Sequence, residues 1–137
     1  MAPTAELIIV GFECEGSVNL TSEGDQASTP ALPLHEMIAA EPEQLRARGR
    51  RLCEALGWAP ERVRDNNATI GGGSLPGQEL ASVALVAPGK AHAAARILRA
   101  GDPPLVGRAR DKELWIDLRT LHAVDDETLL ACLRRLA

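Results

Sequence analysis

The chain has 137 residues, of which 45% are hydrophobic and 25% are charged, a composition typical of a globular domain. A net charge of -4, no basic stripe and only two tryptophans and one phenylalanine as aromatics argue against a surface that binds nucleic acid by itself. The apolar start is too short for a membrane span of about 18 residues and no basic residue precedes it, so we expect a cytoplasmic protein.

The cysteines and histidines form no metal or redox motif. Cys14, Cys53 and Cys132 are widely spaced, without a C-x-x-C pair or a histidine at ligand spacing. Cys53 and Cys132 fall on apolar faces of predicted helices, which indicates buried thiols rather than metal ligands or nucleophiles. We predict no metal site, and a metal or redox protein is the least favoured class of function.

Residues 1–33 have the composition of a linker. The run LIIV at 7–10 is typical of a short strand, but Gly, Ser, Thr, Asp and Pro dominate the rest of the segment. We therefore predict a poorly ordered segment over 1–33 and a folded domain over 34–137.

The first predicted helix begins at Pro42, which suits a first turn, and ends at Gly57, which can adopt the left-handed conformation. Its inner face consists of residues at helical spacing: Leu45, Gly49, Leu52, Cys53 and Leu56. Four arginines occupy the other positions and predict a solvated charged face, with a binding role as the alternative: Arg46, Arg48, Arg50 and Arg51.

Two strands follow, over 62–70 and 79–87, and the second is apolar enough for the centre of a sheet. The connection IGGGSLPGQE lacks the Gly-Lys-Ser/Thr of a P-loop and the spaced glycines of a dinucleotide site. Three interpretations remain: a phosphate nest of backbone N–H groups, a close-packed connection between domains, and a flexible loop. The second is favoured for the residues concerned, Gly71, Gly72, Gly73 and Ser74.

Residues 90–100 predict a helix that ends at Gly101, with an inner face of Ala94, Ile97 and Leu98. The segments PLVGRARD and KELWIDLRT then predict a hairpin that turns about 111–112. Alternation places Leu114, Ile116 and Leu118 on one face of its second strand, and Trp115, Asp117 and Arg119 on the other. Acidic residues at 125–127 lie at the start of the last predicted helix, and arginines at 134–135 lie at its end. This is the charge order that the helix dipole favours.

These elements predict an α+β fold: a two-layer sandwich with a mainly antiparallel sheet and helices on one face. The element order is helix, two strands, helix, two strands, helix. The two α-β-β segments suggest a pseudo-repeat of architecture, although their sequences show no internal repeat.

Four segments occur in one order and at specific spacings: PEQLRARGRRLCEALG, IGGGSLPGQELASVALV, ILRAGDPPLVGRARDKELWIDLRTL and DDETLLACLRRL. Together they resemble the C-terminal small domain of the bacterial L-seryl-tRNA(Sec) selenium transferases (selenocysteine synthases), over roughly residues 32–137. The resemblance implies the small domain of a pyridoxal-phosphate (PLP) enzyme of the aspartate-aminotransferase type. That family converts serine on the selenocysteine tRNA into selenocysteine, using selenophosphate.

The resemblance carries over no catalytic or cofactor-binding residue. It places the family's cofactor lysine, selenophosphate arginines and tRNA-binding segment upstream of the matched region, and residues 1–33 contain no lysine. Lys90 and Lys112 fall on a helix and a hairpin turn. PLP also requires an acid for its ring nitrogen and a site for its phosphate. We therefore expect no cofactor to be bound by this chain alone, although PLP serves the full-length family.

Arg108 and Arg119 are the candidate contacts to a substrate or to another domain. Many enzymes of this fold hold a substrate carboxylate with an arginine of the small domain, but an aminoacyl ester has no free carboxylate. Because Arg119 shares its predicted strand face with Asp117, an internal ion pair is the favoured interpretation.

Two functions remain open. The first is a C-terminal domain or fragment of the transferase that is inactive in isolation. Its partner is then a PLP-binding large domain, and selenocysteine tRNA is reached only through the full-length enzyme. The second is a stand-alone, non-catalytic binding or oligomerisation module that pairs with itself. Neither function involves a membrane or DNA.

Overall fold

The structure is a computed structural model that describes residues 33–69 and 78–136. The predicted linker and the LIIV run lie outside the described residues. So do Cys14 and the connection that contains Gly71, Gly72, Gly73 and Ser74.

The described chain forms four α-helices and four strands. The helices are α1 (Pro33–Ala39), α2 (Pro42–Leu56), α3 (Ala91–Arg99) and α4 (Asp126–Leu133), and the strands are β1 (Val63–Thr69), β2 (Glu79–Ala87), β3 (Arg108–Arg110) and β4 (Glu113–Asp117). All of these except α1 were predicted. With only seven residues, α1 is too short to display a helical period in the sequence.

The sheet is antiparallel, with the strand order β1-β2-β4-β3. β2 lies between β1 and β4, which confirms its predicted central position. The turn between β3 and β4 is at Asp111 and Lys112, with φ values of 50° and 65°. A two-residue hairpin turn of this kind requires positive φ at both positions because its twist then matches that of the strands. The predicted hairpin is therefore confirmed.

The apolar core lies on one face of the sheet, and the helices cover it. Val83, Leu85 and Ala87 of β2 alternate toward this face, together with Leu114 and Ile116 of β4. They form one cluster with buried side chains of three helices: Leu45, Leu52, Cys53, Ala94, Leu98, Leu129, Cys132 and Leu133. The two-layer α+β prediction is confirmed.

Gly49 lets α2 lie close to the sheet. A Cβ atom at this position would be only 3.0 Å from Val63 Cγ1 and 3.2 Å from Leu118 Cδ1. The left-handed Gly57, with φ of 67°, ends the helix as predicted.

Two predicted helix faces are partly wrong. Arg48 is 6% exposed and buried, whereas Arg50 and Arg51 are exposed as expected. Ile97 is 43% exposed, because the narrow inner stripe of α3 contains Ala91, Ala94 and Leu98 instead. Among residues 33–69 and 78–136, no helix has the length and apolar character needed to cross a membrane.

Candidate functional site

The sheet face opposite the core carries mostly polar side chains, around the buried Ala84 and Val86 of β2. Strand alternation and register place a set of hydrogen-bonding and charged side chains there, and we call it the polar face: Arg64, Asn66, Ser82, Arg108, Arg110, Glu113, Trp115 and Asp117.

Trp115 is the centre of the polar face. The guanidinium groups of Arg64 and Arg110 lie 5.6 Å and 5.2 Å from the centroid of its ring, within the range of cation–π attraction. Arg64 is also held by Glu113, since its Nη1 donates to Oε2 at 2.6 Å. The indole N–H of Trp115 is shielded from solvent and has no acceptor among the described groups.

Asp117 joins three parts of the structure. Its carboxylate accepts from Asn66 Nδ2 at 3.0 Å on β1, from the Ser82 hydroxyl on β2, and from the backbone N–H of Arg119 at 2.9 Å. This carboxylate therefore holds strands and a turn together.

Arg119 does not lie on the strand face that was predicted. The backbone leaves β4 after Asp117 and forms a 3-10 turn over Leu118–Thr120. The Arg119 side chain is buried, and its Nη atoms donate to the carbonyl oxygens of Met37 at 2.8 Å, Ile38 at 3.0 Å and Ala81 at 2.6 Å. The expected ion pair with Asp117 is wrong, because the guanidinium instead joins α1 to β2.

Arg108 is exposed on β3 and lines a cavity of about 290 Å³ on the polar face. Trp115 and Arg110 line the same cavity, as does Gly107, where a Cβ atom would be 2.8 Å from the Trp115 carbonyl oxygen. Among the described residues Arg108 has no ion-pair partner. Of the two candidate arginines, the structure thus places only Arg108 beside a cavity of the polar face.

Arg48 forms a second arginine network, whereas its sequence position was interpreted as part of a solvated face. Its Nε donates to Asp126 Oδ1 at 2.9 Å, and its Nη atoms donate to three carbonyl oxygens at 2.7–3.1 Å: Leu118, Leu121 and His122. The sequence does indicate that Arg48 is buried, because it lies three residues after Leu45 and four residues before Leu52. That spacing places it on the inner stripe of α2.

The two described cysteines are buried, as predicted. Cys53 is 1% exposed and Cys132 is 3% exposed. Burial raises the pKa of both thiols, against the opposing charge of Arg62 at Cys53 and of Arg135 at Cys132. Within the described ranges, no group of three or more His, Cys, Asp or Glu side chains could hold a metal ion.

In the native protein, Cys53 and Cys132 are expected to resist a thiol reagent such as DTNB until the chain unfolds, because only the thiolate reacts. Because the pKa is raised in the folded state, each thiol contributes its full stability below the ordinary thiol pKa, and this contribution is lost as the pH rises through the folded-state pKa.

Mass mapping of DTNB-labelled peptides at mildly alkaline pH, with and without urea, measures the reactivity of the two thiols. Rapid labelling of either thiol without urea would contradict the expected resistance.

The described residues do not by themselves fit PLP. Lys90 and Lys112 are the only lysines of the whole sequence, and both are exposed, one before α3 and the other in the hairpin turn. Neither lines the 290 Å³ cavity of the polar face. A PLP aldehyde needs a lysine inside a pocket that also holds its ring and its phosphate.

Comparison with known proteins identifies relatives. The family model for L-seryl-tRNA selenium transferase matches residues 7–122. The L-seryl-tRNA(Sec) selenium transferase of Hyphomonas neptunium is 34% identical over 112 residues, which are 77% of this chain and 24% of that protein. The enzyme of the same name from Desulfovibrio desulfuricans is 33% identical over 141 residues, covering 94% of this chain and 29% of its own length.

These matches also correct the predicted extent of the resemblance. The family match begins at residue 7, so the expectation that it starts near residue 32 is wrong. The turn-forming composition of the first 33 residues obscured this part of the likeness. The chain spans 24–29% of the length of these two relatives. With a family match over most of its residues, the chain belongs to the L-seryl-tRNA selenium transferase family.

Proposed function

We propose that this chain serves as the C-terminal domain of an L-seryl-tRNA(Sec) selenium transferase and is not catalytic alone. The observation that carries the proposal is the family match over residues 7–122, in a chain that spans 24–29% of two of its relatives. Its two lysines are both exposed and outside the polar-face cavity, which supports a cofactor site located elsewhere.

In this proposal the domain comprises residues 34–137, and the cofactor belongs to a separate PLP-binding large domain. The polar face provides one wall of the space between the two domains, because it presents an arginine without an ion-pair partner among the described residues. Arg108 then contacts the large domain or the substrate, and the connection at 71–74 packs closely against that domain. Arg119 positions α1. The tRNA is reached through the assembled enzyme in the cytoplasm.

Titration of the purified 137-residue chain with PLP tests this function. We expect no saturable Schiff-base absorbance band, because exposed lysines react with PLP only weakly and without a pocket. After borohydride reduction, peptide mapping is expected to find little modification, divided between Lys90 and Lys112 and rising in proportion to PLP. Lys90→Arg and Lys112→Arg are the matched controls.

Saturable, stoichiometric labelling of one lysine would contradict the proposal. So would formation of selenocysteinyl-tRNA by the isolated chain when it is supplied with L-seryl-tRNA(Sec) and selenophosphate.

A further inference from the structure

We propose that residues 6–15 of this chain bind in a groove between α3 and β3. The groove is a cavity of about 560 Å³ that combines two arginines and a histidine with small or apolar side chains, and we call it the basic groove: His92, Ala95, Arg96, Arg99, Ala109 and Leu114. Residues 6–15 lie outside the described residues, and for them the proposal replaces the expectation of poor order. It does not rest on the transferase role.

The first support is the positive charge of the basic groove. No acid among the described residues lines it. Arg96 and Arg99 are exposed, and neither forms an ion pair with a described residue. The surrounding residues 90–112 contain six Lys or Arg and two Asp, a formal charge of +4. One of these acids, Asp111, already pairs with Arg110. The α3–β3 edge of the domain therefore has an excess of positive charge.

The second support is the negative charge of the chain before α1. Residues 1–32 contain five Glu or Asp and no Lys or Arg. Three of these acids flank the apolar run LIIV: Glu6, Glu13 and Glu15. Apart from 1–32 and 90–112, the remaining residues have a formal charge of -3. Electrostatic attraction therefore directs the acidic segment to the α3–β3 edge rather than to the rest of the domain.

The third support is the unpaired edge of β3 beside the basic groove. β3 pairs with β4 alone among the described strands, so its other edge has no strand partner there. Arg110 and Glu113 flank the two-residue turn as a hydrogen-bonded pair, so the backbone N–H and C=O of Ala109 point away from β4. An extended segment can pair with such an edge. Its apolar side chains can then contact Ala95 and Leu114 in the groove.

The tether to the folded domain is long enough for this contact. Residues 16–32 connect the segment to Pro33, and an extended chain of this length spans up to about 60 Å. A domain of about 100 residues has a radius of gyration of about 13 Å, which corresponds to a path of about 50 Å halfway round its surface. Such a tether also gives an effective concentration of about 1 mM, so weak exposed ion pairs are sufficient.

Nucleic acid is a less suitable occupant. No aromatic side chain among the described residues lines the basic groove, so it offers no platform on which bases could stack. Its two arginines are also fewer than the track of cations that follows successive phosphates. A segment that combines acidic with apolar side chains matches both the arginines and the apolar part of the lining.

Cys14 provides a probe of this contact, because it lies between two of the acids, while the two described cysteines are buried. A nitroxide attached to Cys14 of the full, isotope-labelled chain broadens the amide signals of nearby residues. At low ionic strength we expect the amides of 95–100 and 107–110 to lose most of their intensity relative to the ascorbate-reduced sample. In about 1 M NaCl, where the Debye length is about 3 Å, most of this intensity is expected to return.

The double variant Arg96→Gln with Arg99→Gln is expected to abolish the signal loss. The matched control is Arg50→Gln with Arg51→Gln, which removes two exposed arginines from α2 and is expected to leave the loss unchanged. Far-UV circular dichroism verifies that each variant is folded. A mixture of nitroxide-labelled and isotope-labelled chains identifies contacts with a second copy, and we expect no signal loss in it.

A comparison without the nitroxide keeps the test valid if the label itself disturbs the contact. One chain with Glu6→Gln, Glu13→Gln and Glu15→Gln is expected to shift the same amide resonances, whereas Glu23→Gln is expected to leave them in place. Amides of the basic groove that neither lose intensity nor shift would overturn the proposal. So would a loss confined to another surface, a loss that persists in the Arg96 and Arg99 double variant, or a loss in the mixture of chains.

Discussion

Replacing Arg48 with methionine is expected to lower the free energy of unfolding by about 3–5 kcal/mol. The guanidinium satisfies Asp126 and three carbonyl oxygens around the turn that follows β4. Methionine keeps much of the apolar stem but leaves these acceptors without a donor. Urea unfolding followed by far-UV circular dichroism measures the change.

The control for this variant is Arg50→Met on the same helix. Arg50 is exposed, and no side-chain hydrogen bond of Arg50 is found among the described residues, so we expect a change within about 0.5 kcal/mol. Equal losses in the two variants would show that the Arg48 network does not stabilise the domain.

Replacing Leu85 with alanine is expected to cost about 4 kcal/mol. Leu85 has no solvent exposure and lies at the centre of the sheet, opposite Val63 of β1 and Ile116 of β4. Truncation removes its contacts and leaves a cavity between sheet and helices. The urea midpoint should fall while the m-value stays constant, because the surface exposed on unfolding is nearly the same.

Leu80→Ala on the same strand provides the comparison. Leu80 is only partly buried near the start of β2, so its truncation is expected to cost about 1 kcal/mol or less. If the Leu85 variant were as stable as the Leu80 variant, Leu85 would not be a central residue of the core.

Features that depend on neighbouring residues could be predicted from the sequence. The bounds of β2 follow from its apolar run and the Pro-Gly that ends it, and the hairpin turn follows from the polar pair at 111–112. The arginine networks could not be predicted in the same way. Arg119 reaches Met37, 82 positions away, and Arg48 reaches Leu118, 70 positions away. Such partners are set by tertiary packing.

In the candidate site, too, some features could be predicted from the sequence and others could not. Arg108 was singled out from the sequence, and strand alternation alone puts Arg110 beside it. The position of Trp115 between Arg64 and Arg110 depends on the register of all four strands. A single sequence does not specify that register, because the strands that carry Arg64 and Trp115 are separated by β2 in the sheet.

The central position of β2 has a consequence for synthesis on the ribosome. One edge of β2 pairs with β1, which is made earlier, but the other pairs with β4, where Ala84 meets Asp117 and Ala87 meets Leu114. Until β4 emerges, a strand of buried apolar residues keeps unpaired N–H and C=O groups along one edge. Such an edge is a template for pairing with other nascent chains. Pairing with the five residues of β4 therefore removes this exposed edge.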